Sequence, residues 1–119
     1  MSQASRVLIV EDDADLRQVA VEMLSLAGYD VVEAPDADEA LRLVTERAVR
    51  VVITDIRMPG SVDGWGLARK LKAMVPPLKV ICVTGYARHE EGRVNCDAFL
   101  RKPFKFSELF RALDLLLAT

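Results

Sequence analysis

The segment Val7-Leu8-Ile9-Val10-Glu11-Asp12-Asp13 joins a short apolar run directly to three acidic residues. An apolar run without alternation is typical of a strand that is buried on both faces of a sheet. The same arrangement recurs at Val51–Asp55, where a second apolar run ends on a carboxylate. Both segments therefore predict strands of a buried parallel sheet whose carboxyl ends carry polar side chains.

Longer amphipathic stretches alternate with the apolar runs and predict helices. Gly28 ends the first helix, and Asp36 with Glu39 resembles a capping box that begins the second. A third helix over 65–74 is predicted to end before Pro76-Pro77, and a last helix carries Leu109, Leu113, Leu116 and Leu117 on one side. The remaining predicted strands lie at 31–32, 80–84 and 98–100. Five strands alternating with about five helices indicate a doubly wound α/β fold.

The composition limits the function classes. The 119 residues fit one domain, and 16 basic against 18 acidic residues leave a charge of −2. This balance excludes the basic footprint of a nucleic-acid or membrane-surface protein, and residues 1–5 lack a signal sequence. Cys82 and Cys96 show no metal-type spacing, so we expect two buried thiols in a cytoplasmic protein.

Polar residues follow four of the predicted strands. Glu11-Asp12-Asp13, Asp55, Thr84 and Lys102 all lie where a strand ends, so parallel strands would bring them to one rim. Two carboxylates about 4 Å apart repel by about 4 kcal/mol at a protein-like dielectric, and Mg²⁺ removes that repulsion. Carboxylate, metal and lysine together favour phosphoryl transfer.

Each of these residues also has a plainer interpretation. An aspartate after a strand is usually a turn residue or a helix N-cap, and Asp13 fits that role best. Thr84 alone suits a turn, and Lys102 alone suits a solvated charge. His89 suits an exposed position without a role, and Trp65 suits packing. Only the joint placement at four strand ends favours a site.

The ordered set of motifs resembles the receiver domain of two-component response regulators across residues 1–119. The motifs are residues 7–13, Thr54-Asp55-Ile56-Arg57-Met58-Pro59-Gly60, Asp63-Gly64, Val83-Thr84-Gly85-Tyr86 and Phe99-Leu100-Arg101-Lys102-Pro103-Phe104. The resemblance implies a flavodoxin-like, five-stranded sheet in the order 2-1-3-4-5. It also implies that the Lys102-Pro103 peptide bond is cis.

The resemblance assigns a role to each residue of the site. Asp55 would accept a phosphoryl group from a phosphohistidine, Lys102 would pair with Asp55 or its phosphoryl oxygens, and Thr84 would hydrogen-bond the phosphoryl group. Mg²⁺ would be held by Asp12, by Asp55, by the backbone carbonyl of Arg57 and, mainly through water, by Glu11.

The resemblance also implies a conformational switch and residues that control the lifetime of the phosphorylated form. Thr84 would move towards the phosphoryl group and let Phe99 turn inward, although Phe99 as a static core aromatic remains an alternative. Arg57 and Tyr86 would flank the acyl phosphate and slow its hydrolysis.

Only seventeen residues separate Thr84 from Lys102, so we expect the helix over 88–94 to be short, frayed or absent. The loop 58–64 is one residue longer than the commonest form.

Three functions remain open at this point. The first is a non-enzymatic receiver. Its partners would be a sensor histidine kinase or phosphotransfer protein and a downstream protein. It would act as a monomer or weak dimer and would bind neither nucleic acid nor membrane. The second is a phosphate-independent binding module of the same fold. The third is an aspartyl-nucleophile hydrolase, which Arg57 disfavours because such enzymes usually place a second carboxylate two residues after the nucleophile.

Overall fold

Five parallel strands form one sheet in the order β2-β1-β3-β4-β5. The structure is a computed structural model and describes residues 5–56, 64–85 and 95–118. The strands are β1 (Arg6–Val10), β2 (Asp30–Ala34), β3 (Val51–Asp55), β4 (Lys79–Thr84) and β5 (Ala98–Arg101), and the helices are α1 (Ala14–Leu26), α2 (Ala37–Glu46), α3 (Gly64–Met74) and α4 (Phe106–Leu117). The predicted α/β fold and strand order are confirmed.

Side chains that alternate along each strand build two apolar layers, one on each face of the sheet. Leucines and alanines of α2 and α3 cover the face that contains Leu8, Val52 and Val80. Residues of α1 and α4 cover the face that contains Ile9 and Ile53. Burial on both faces explains why the strands are continuously apolar in sequence.

The predicted helix signals act as expected at both ends of the helices. The carboxylate of Asp13 accepts hydrogen bonds from the backbone N–H groups of Asp15 (2.9 Å) and Leu16 (3.1 Å), and Asp36 accepts one from Glu39 (2.9 Å). Gly28 follows α1 with a φ of 97°, a conformation that other residues rarely adopt. The two aspartate caps fix where α1 and α2 begin, at the carboxyl edge of the sheet.

The prediction of two thiols is wrong, because Cys82 and Cys96 form a disulfide with their Cα atoms 6.0 Å apart. Cys82 is fully buried on β4, as expected, whereas Cys96 is half-buried. The pair meets because β5 returns beside β4, which brings the residues just before β5 next to the middle of β4. A sequence separation of 14 residues does not reveal that proximity.

Two sequence expectations lie outside the described residues. These are the short or absent helix over 88–94 and the long loop of 58–63. The four helices of the described part agree with the predicted ones. No helix in that part is long and apolar enough to cross a membrane.

Leu109 anchors α4 to the sheet and offers a test of this packing. Leu109 is 1 % exposed, so Leu109→Ala should lower the free energy of unfolding by about 2–5 kcal/mol through a cavity under α4. Leu115 on the same helix is 68 % exposed, so Leu115→Ala should change it by no more than about 0.5 kcal/mol. Urea denaturation measures both, and equal losses would contradict the described orientation of α4.

Candidate functional site

The carboxyl edge of the sheet gathers the polar residues that follow the strands. Asp55 is the last residue of β3, Thr84 is the last residue of β4, and Glu11 and Lys102 directly follow β1 and β5. The strand order reverses between β1 and β3, and the crevice at such a reversal is where open α/β sheets bind ligands. The sequence therefore placed these residues at the correct edge.

Lys102 forms an ion pair with the carboxylate of Asp55. Its ammonium nitrogen also lies 4.0 Å from Oε1 of Glu11. The backbone N–H of Lys102 donates to the carbonyl oxygen of Thr84 over 2.7 Å, which fixes the start of the lysine side chain beside β4. The Lys102-Pro103 bond is cis, as the resemblance implied. One cation is thus held against two carboxylates from different strands.

Burial raises the pKa of Glu11 above its ordinary value of 4.5. The neighbouring carboxyls of Asp12 and Asp55 raise it further, whereas the backbone N–H of Asp13 and the charge of Lys102 act in the opposite direction. The net direction shows that the negative charge of Glu11 is unfavourable in the folded protein. The charge of Glu11 is therefore disfavoured mainly because the carboxylate is partly buried, and repulsion by the neighbouring carboxyls adds to that effect.

The pKa of Lys102 is raised above its ordinary value of 10.5. Burial alone would lower it, but the hydrogen bond and the charge of Asp55, together with the charges of Glu11 and Asp12, outweigh burial. Lys102 consequently remains an ammonium ion at neutral pH. A fixed positive charge beside Asp55 suits the binding of an anionic group.

The acidic triplet after β1 divides into different environments. Glu11 is half-buried and Asp12 is exposed, whereas Asp13 is occupied by the N-cap of α1. Asp13 therefore has the structural role predicted for it. Glu11 and Asp12 remain as oxygen donors beside Asp55.

The carboxylates at this edge offer oxygen ligands of the kind that a magnesium ion prefers. Within residues 5–56, 64–85 and 95–118, no three metal-binding side chains converge as a complete metal site. However, Mg²⁺ commonly uses one or two carboxylates and retains several waters. Glu11 and Asp55 both lie beside the ammonium group of Lys102, and oxygen donors of this kind fit the ion.

Thr84 and Phe99 lie on the paired strands β4 and β5. Thr84 is 1 % exposed at the end of β4, and Phe99 lies on the adjacent strand opposite Cys82. The ring of Phe99 stacks on Trp65 with a centroid distance of 5.9 Å and an interplanar angle of 13°. Trp65 is thus a packing residue, as predicted. Arg57, Tyr86 and His89 lie outside the described residues.

Gly64 is a positioning residue that the sequence analysis treated only as part of a turn. Its N–H donates to the carbonyl oxygen of Ile56 over 2.8 Å. A Cβ at this position would collide with the carbonyl oxygen of Asp55 and would lie 2.6 Å from the Cα of Ile56. The Asp-Gly dipeptide was a signal for a turn, but contact with the backbone of Asp55 requires the fold.

Arg17 was also missed. Its guanidinium donates to the carbonyl oxygen of Glu11 over 2.8 Å and pairs with Glu33 at 2.9 Å. This arginine therefore supports the backbone of the acidic triplet from one turn inside α1. Arg17 lies at the polar start of a helix, where nothing in the local sequence indicated a contact with the backbone of Glu11.

An apolar cavity of about 430 Å³ adjoins the acidic residues. Residues of α1, of the sheet and of the segment 103–109 line it, together with Glu11, Asp55 and Lys102. Leu16 and Val19 of α1 also line the cavity, although they are 53 % and 48 % exposed. Apolar surface open to solvent thus lies directly beside the charged residues.

Comparison with known proteins yields one family. The family model described as the response regulator receiver domain matches residues 7–114. The C4-dicarboxylate transport transcriptional regulatory protein DctD of Rhizobium meliloti (strain 1021) is 44 % identical over 119 residues, covering 94 % of this chain but only 25 % of DctD. The response regulator receiver protein CpdR of Brucella abortus (strain 2308) is 34 % identical, with 94 % of this chain and 96 % of CpdR covered.

Solved structures agree with this family. The response regulator TrrA of Thermotoga maritima, in complex with Mg²⁺-BeF, matches with a TM-score of 0.87 and 30 % identity over 94 % of this chain and 98 % of TrrA. A structure of histidine kinase ThkA in complex with TrrA also matches, with a TM-score of 0.87 and 30 % identity over 95 % of this chain and 98 % of the matched chain.

Gly64→Ala tests the contact between α3 and the backbone of Asp55. We expect the free energy of unfolding to fall by about 1–3 kcal/mol, since the new methyl group forces backbone atoms apart. Gly85→Ala is the matched control because a Cβ there meets no atom of the described residues within 4 Å, and it should remain within about 1 kcal/mol of wild type. Chemical denaturation measures both variants. Equal stability of the two would refute the close approach.

Glu11→Gln tests the electrostatic strain of the site in metal-free buffer. A raised pKa means that the stability contributed by Glu11 is present below its unfolded pKa and is lost as the pH rises through its folded pKa. The variant should therefore be more stable than wild type at pH 7, and the difference should shrink towards about pH 4.5. Thermal denaturation across this range measures it, and a less stable variant at pH 7 would show that attraction to Lys102 outweighs burial.

Proposed function

Because this chain belongs to the response regulator receiver domain family, for which phosphoryl acceptance is the general function, we propose that Asp55 is its phosphoryl acceptor. The donor would be a phosphohistidine of a sensor histidine kinase or phosphotransfer protein. The observation that carries the proposal is the ion pair of Asp55 with Lys102 at the carboxyl edge, beside Glu11. Glu11 also lies beside Lys102, but Asp55 is the closer partner of its ammonium group and is itself the last residue of a strand.

The transfer would proceed by in-line attack. An oxygen of Asp55 forms a bond to phosphorus as the bond from phosphorus to the imidazole nitrogen breaks, and the imidazole leaves. Asp55 is 12 % exposed, so it is accessible and yet partly shielded from water. Lys102 remains protonated and can follow the negative charge from the carboxylate to the phosphoryl oxygens.

Magnesium fits the negative charge that the site leaves uncompensated. Glu11, Asp12 and Asp55 would hold the ion with the carbonyl of Arg57, and the bound ion would neutralise phosphoryl oxygens during transfer. The raised pKa of Glu11 is consistent with this assignment, since a divalent cation would offset both the burial and the carboxyl repulsion that disfavour its charge.

The response to phosphorylation would run through Thr84 and Phe99. The acyl phosphate carries about −1.5 to −2 charge and three acceptor oxygens, in place of a carboxylate. Val83 is the register partner of Asp55, so Thr84 lies one residue further along the same edge and would be drawn towards that group. Phe99 would then turn inward and alter its present stacking on Trp65, which changes the surface at β5. Arg57 and Tyr86 stay predicted controls of phosphoryl lifetime.

The remaining features belong to the same proposal. Residues 1–119 would form one cytoplasmic receiver domain that signals by protein contact as a monomer or weak dimer, without turning over an external substrate. The chain spans only a quarter of DctD but nearly all of CpdR, so both attached and stand-alone receivers occur among its relatives. The alternative is a phosphate-independent binding module.

Incubation with acetyl phosphate tests the acceptor. Intact mass should show one phosphoryl adduct in the presence of Mg²⁺ and none with a chelator, because the carboxylate cluster needs the cation. Asp55→Asn should abolish the adduct. Asp114→Asn, on α4 near the opposite edge of the sheet, is the matched control and should retain it. An adduct that persists in Asp55→Asn would contradict the proposal, and wild type without any adduct would favour the phosphate-independent module.

The exposed apolar residues of α1 suit the docking of the phosphoryl donor protein. Leu16 lies beside the cavity that adjoins Asp55, whereas Leu26 is 84 % exposed at the far end of the same helix. With a histidine kinase that phosphorylates the wild type, Leu16→Ala should transfer roughly tenfold more slowly, equivalent to about 1.4 kcal/mol of lost contact. Leu26→Ala should transfer at the wild-type rate.

Acetyl phosphate separates docking from chemistry in these two variants. It is too small to use the α1 surface, so both variants should react with it as the wild type does. A Leu16→Ala variant that is slow with acetyl phosphate as well would place the defect in the site and overturn the docking role.

A further inference from the structure

The disulfide between Cys82 and Cys96 lies on the same face of the sheet as the proposed switch. Cys82 and Thr84 are two residues apart on β4, so their side chains share a face. Phe99 is the register partner of Cys82 on β5 and packs in the same apolar layer as Trp65 and Cys96. One covalent bond therefore connects β4 to the residues that precede Phe99.

A second set of contacts holds the same part of the chain without the disulfide. The N–H of Asp97 donates to the carbonyl oxygen of Val80 over 2.8 Å, and the carboxylate of Asp97 accepts from the N–H of Val80 over 2.8 Å. The same carboxylate forms an ion pair with Lys72 of α3. Since Asp97 docks the start of β5 onto β4 and α3, breaking the disulfide would leave the sheet paired.

The two cysteines differ in accessibility. Cys82 is 0 % exposed, whereas Cys96 is half-buried. Of the two residues, Cys96 is the one that borders solvent, so its sulfur is the point of attack and the sulfur of Cys82 is the leaving group. An accessible disulfide that is not needed to hold the fold is suited to reversible reduction.

We propose that the Cys82–Cys96 disulfide is a reversible redox site that sets how far phosphorylation of Asp55 changes the packing of Phe99 on Trp65. The reductant is a dithiol. Its thiolate attacks Sγ of Cys96, the Sγ–Sγ bond breaks, and Cys82 leaves and takes up a proton. The second thiol then attacks the mixed disulfide, which releases Cys96 as a thiol and leaves the reductant as a disulfide, with two electrons transferred.

The coupling follows from the position of the bond and rests on the proposed function. When oxidised, the disulfide fixes the chain three residues before Phe99 to the strand that carries Thr84. Phe99 then has less freedom to follow a movement of Thr84. When reduced, that segment is held by non-covalent contacts alone, among them those of Asp97, so the response of Phe99 to phosphorylation becomes larger.

Thiol labelling of the folded protein tests the redox site. The oxidised protein should take up no maleimide. After treatment with dithiothreitol the folded protein should take up one, on Cys96, and a second on Cys82 only once the protein is denatured. Reduced protein that is treated with oxidised glutathione before maleimide should again take up none. Circular dichroism should remain unchanged through reduction and reoxidation. Reduction that occurs only with loss of secondary structure would identify a purely structural disulfide and overturn the proposal.

Fluorescence of Trp65, the only tryptophan, tests the coupling. With Mg²⁺ and acetyl phosphate, the fractional change in emission should be larger in the reduced than in the oxidised protein, at equal phosphoryl occupancy by intact mass. Cys96→Ser should give the larger change with or without dithiothreitol, and Cys82→Val should repeat that result. Equal changes in both redox states would overturn the coupling.

Occupancy measured in the same samples separates this proposal from the proposed function. A phosphoryl adduct in both redox states with no redox effect on Trp65 would refute only the coupling. Absence of an adduct in both states would refute the proposed function and the coupling with it, whereas the labelling experiment would still decide whether the disulfide is a redox site.

Discussion

The ion pair between Asp55 and Lys102 is the interaction on which the rest of the site depends. It joins the ends of β3 and β5, two strands that β4 separates in the sheet. The pair can form only if all three strands are parallel and in register, so that their carboxyl ends reach the same level. The charged edge is therefore a product of the whole sheet and of no single segment.

Lys102 does not balance the carboxylates that surround it. Burial raises the pKa of Glu11, and Asp12 and Asp55 add to that effect, so folding brings unfavourable charge to this edge. Arg17 supports the backbone of Glu11 from α1, and Gly64 allows α3 to approach the backbone of Asp55. Burial of the apolar layers on both faces of the sheet stabilises the fold and offsets this electrostatic cost. Such uncompensated charge suits a site for a cation and an incoming anion.

Local sequence signals were sufficient for most of the fold. The run from Val7 to Val10 and the caps at Asp13 and Asp36 act over a few residues, and each was recognised because its physical cause is local. The placement of Asp55 and Lys102 at one edge followed from the polarity of parallel strands. Long-range geometry was not accessible in the same way. The Cys82–Cys96 bond requires β5 to lie beside β4, and the role of Gly64 requires the backbone of Asp55 to be in place.

The most direct test of this account is to locate the phosphoryl group chemically. Borohydride reduces an aspartyl phosphate to homoserine, so protein treated with acetyl phosphate and Mg²⁺ can be reduced, digested and sequenced by mass spectrometry. The account predicts homoserine at position 55 and aspartate at positions 12 and 13. Homoserine at position 12 or 13, or phosphoryl uptake without homoserine at position 55, would contradict it.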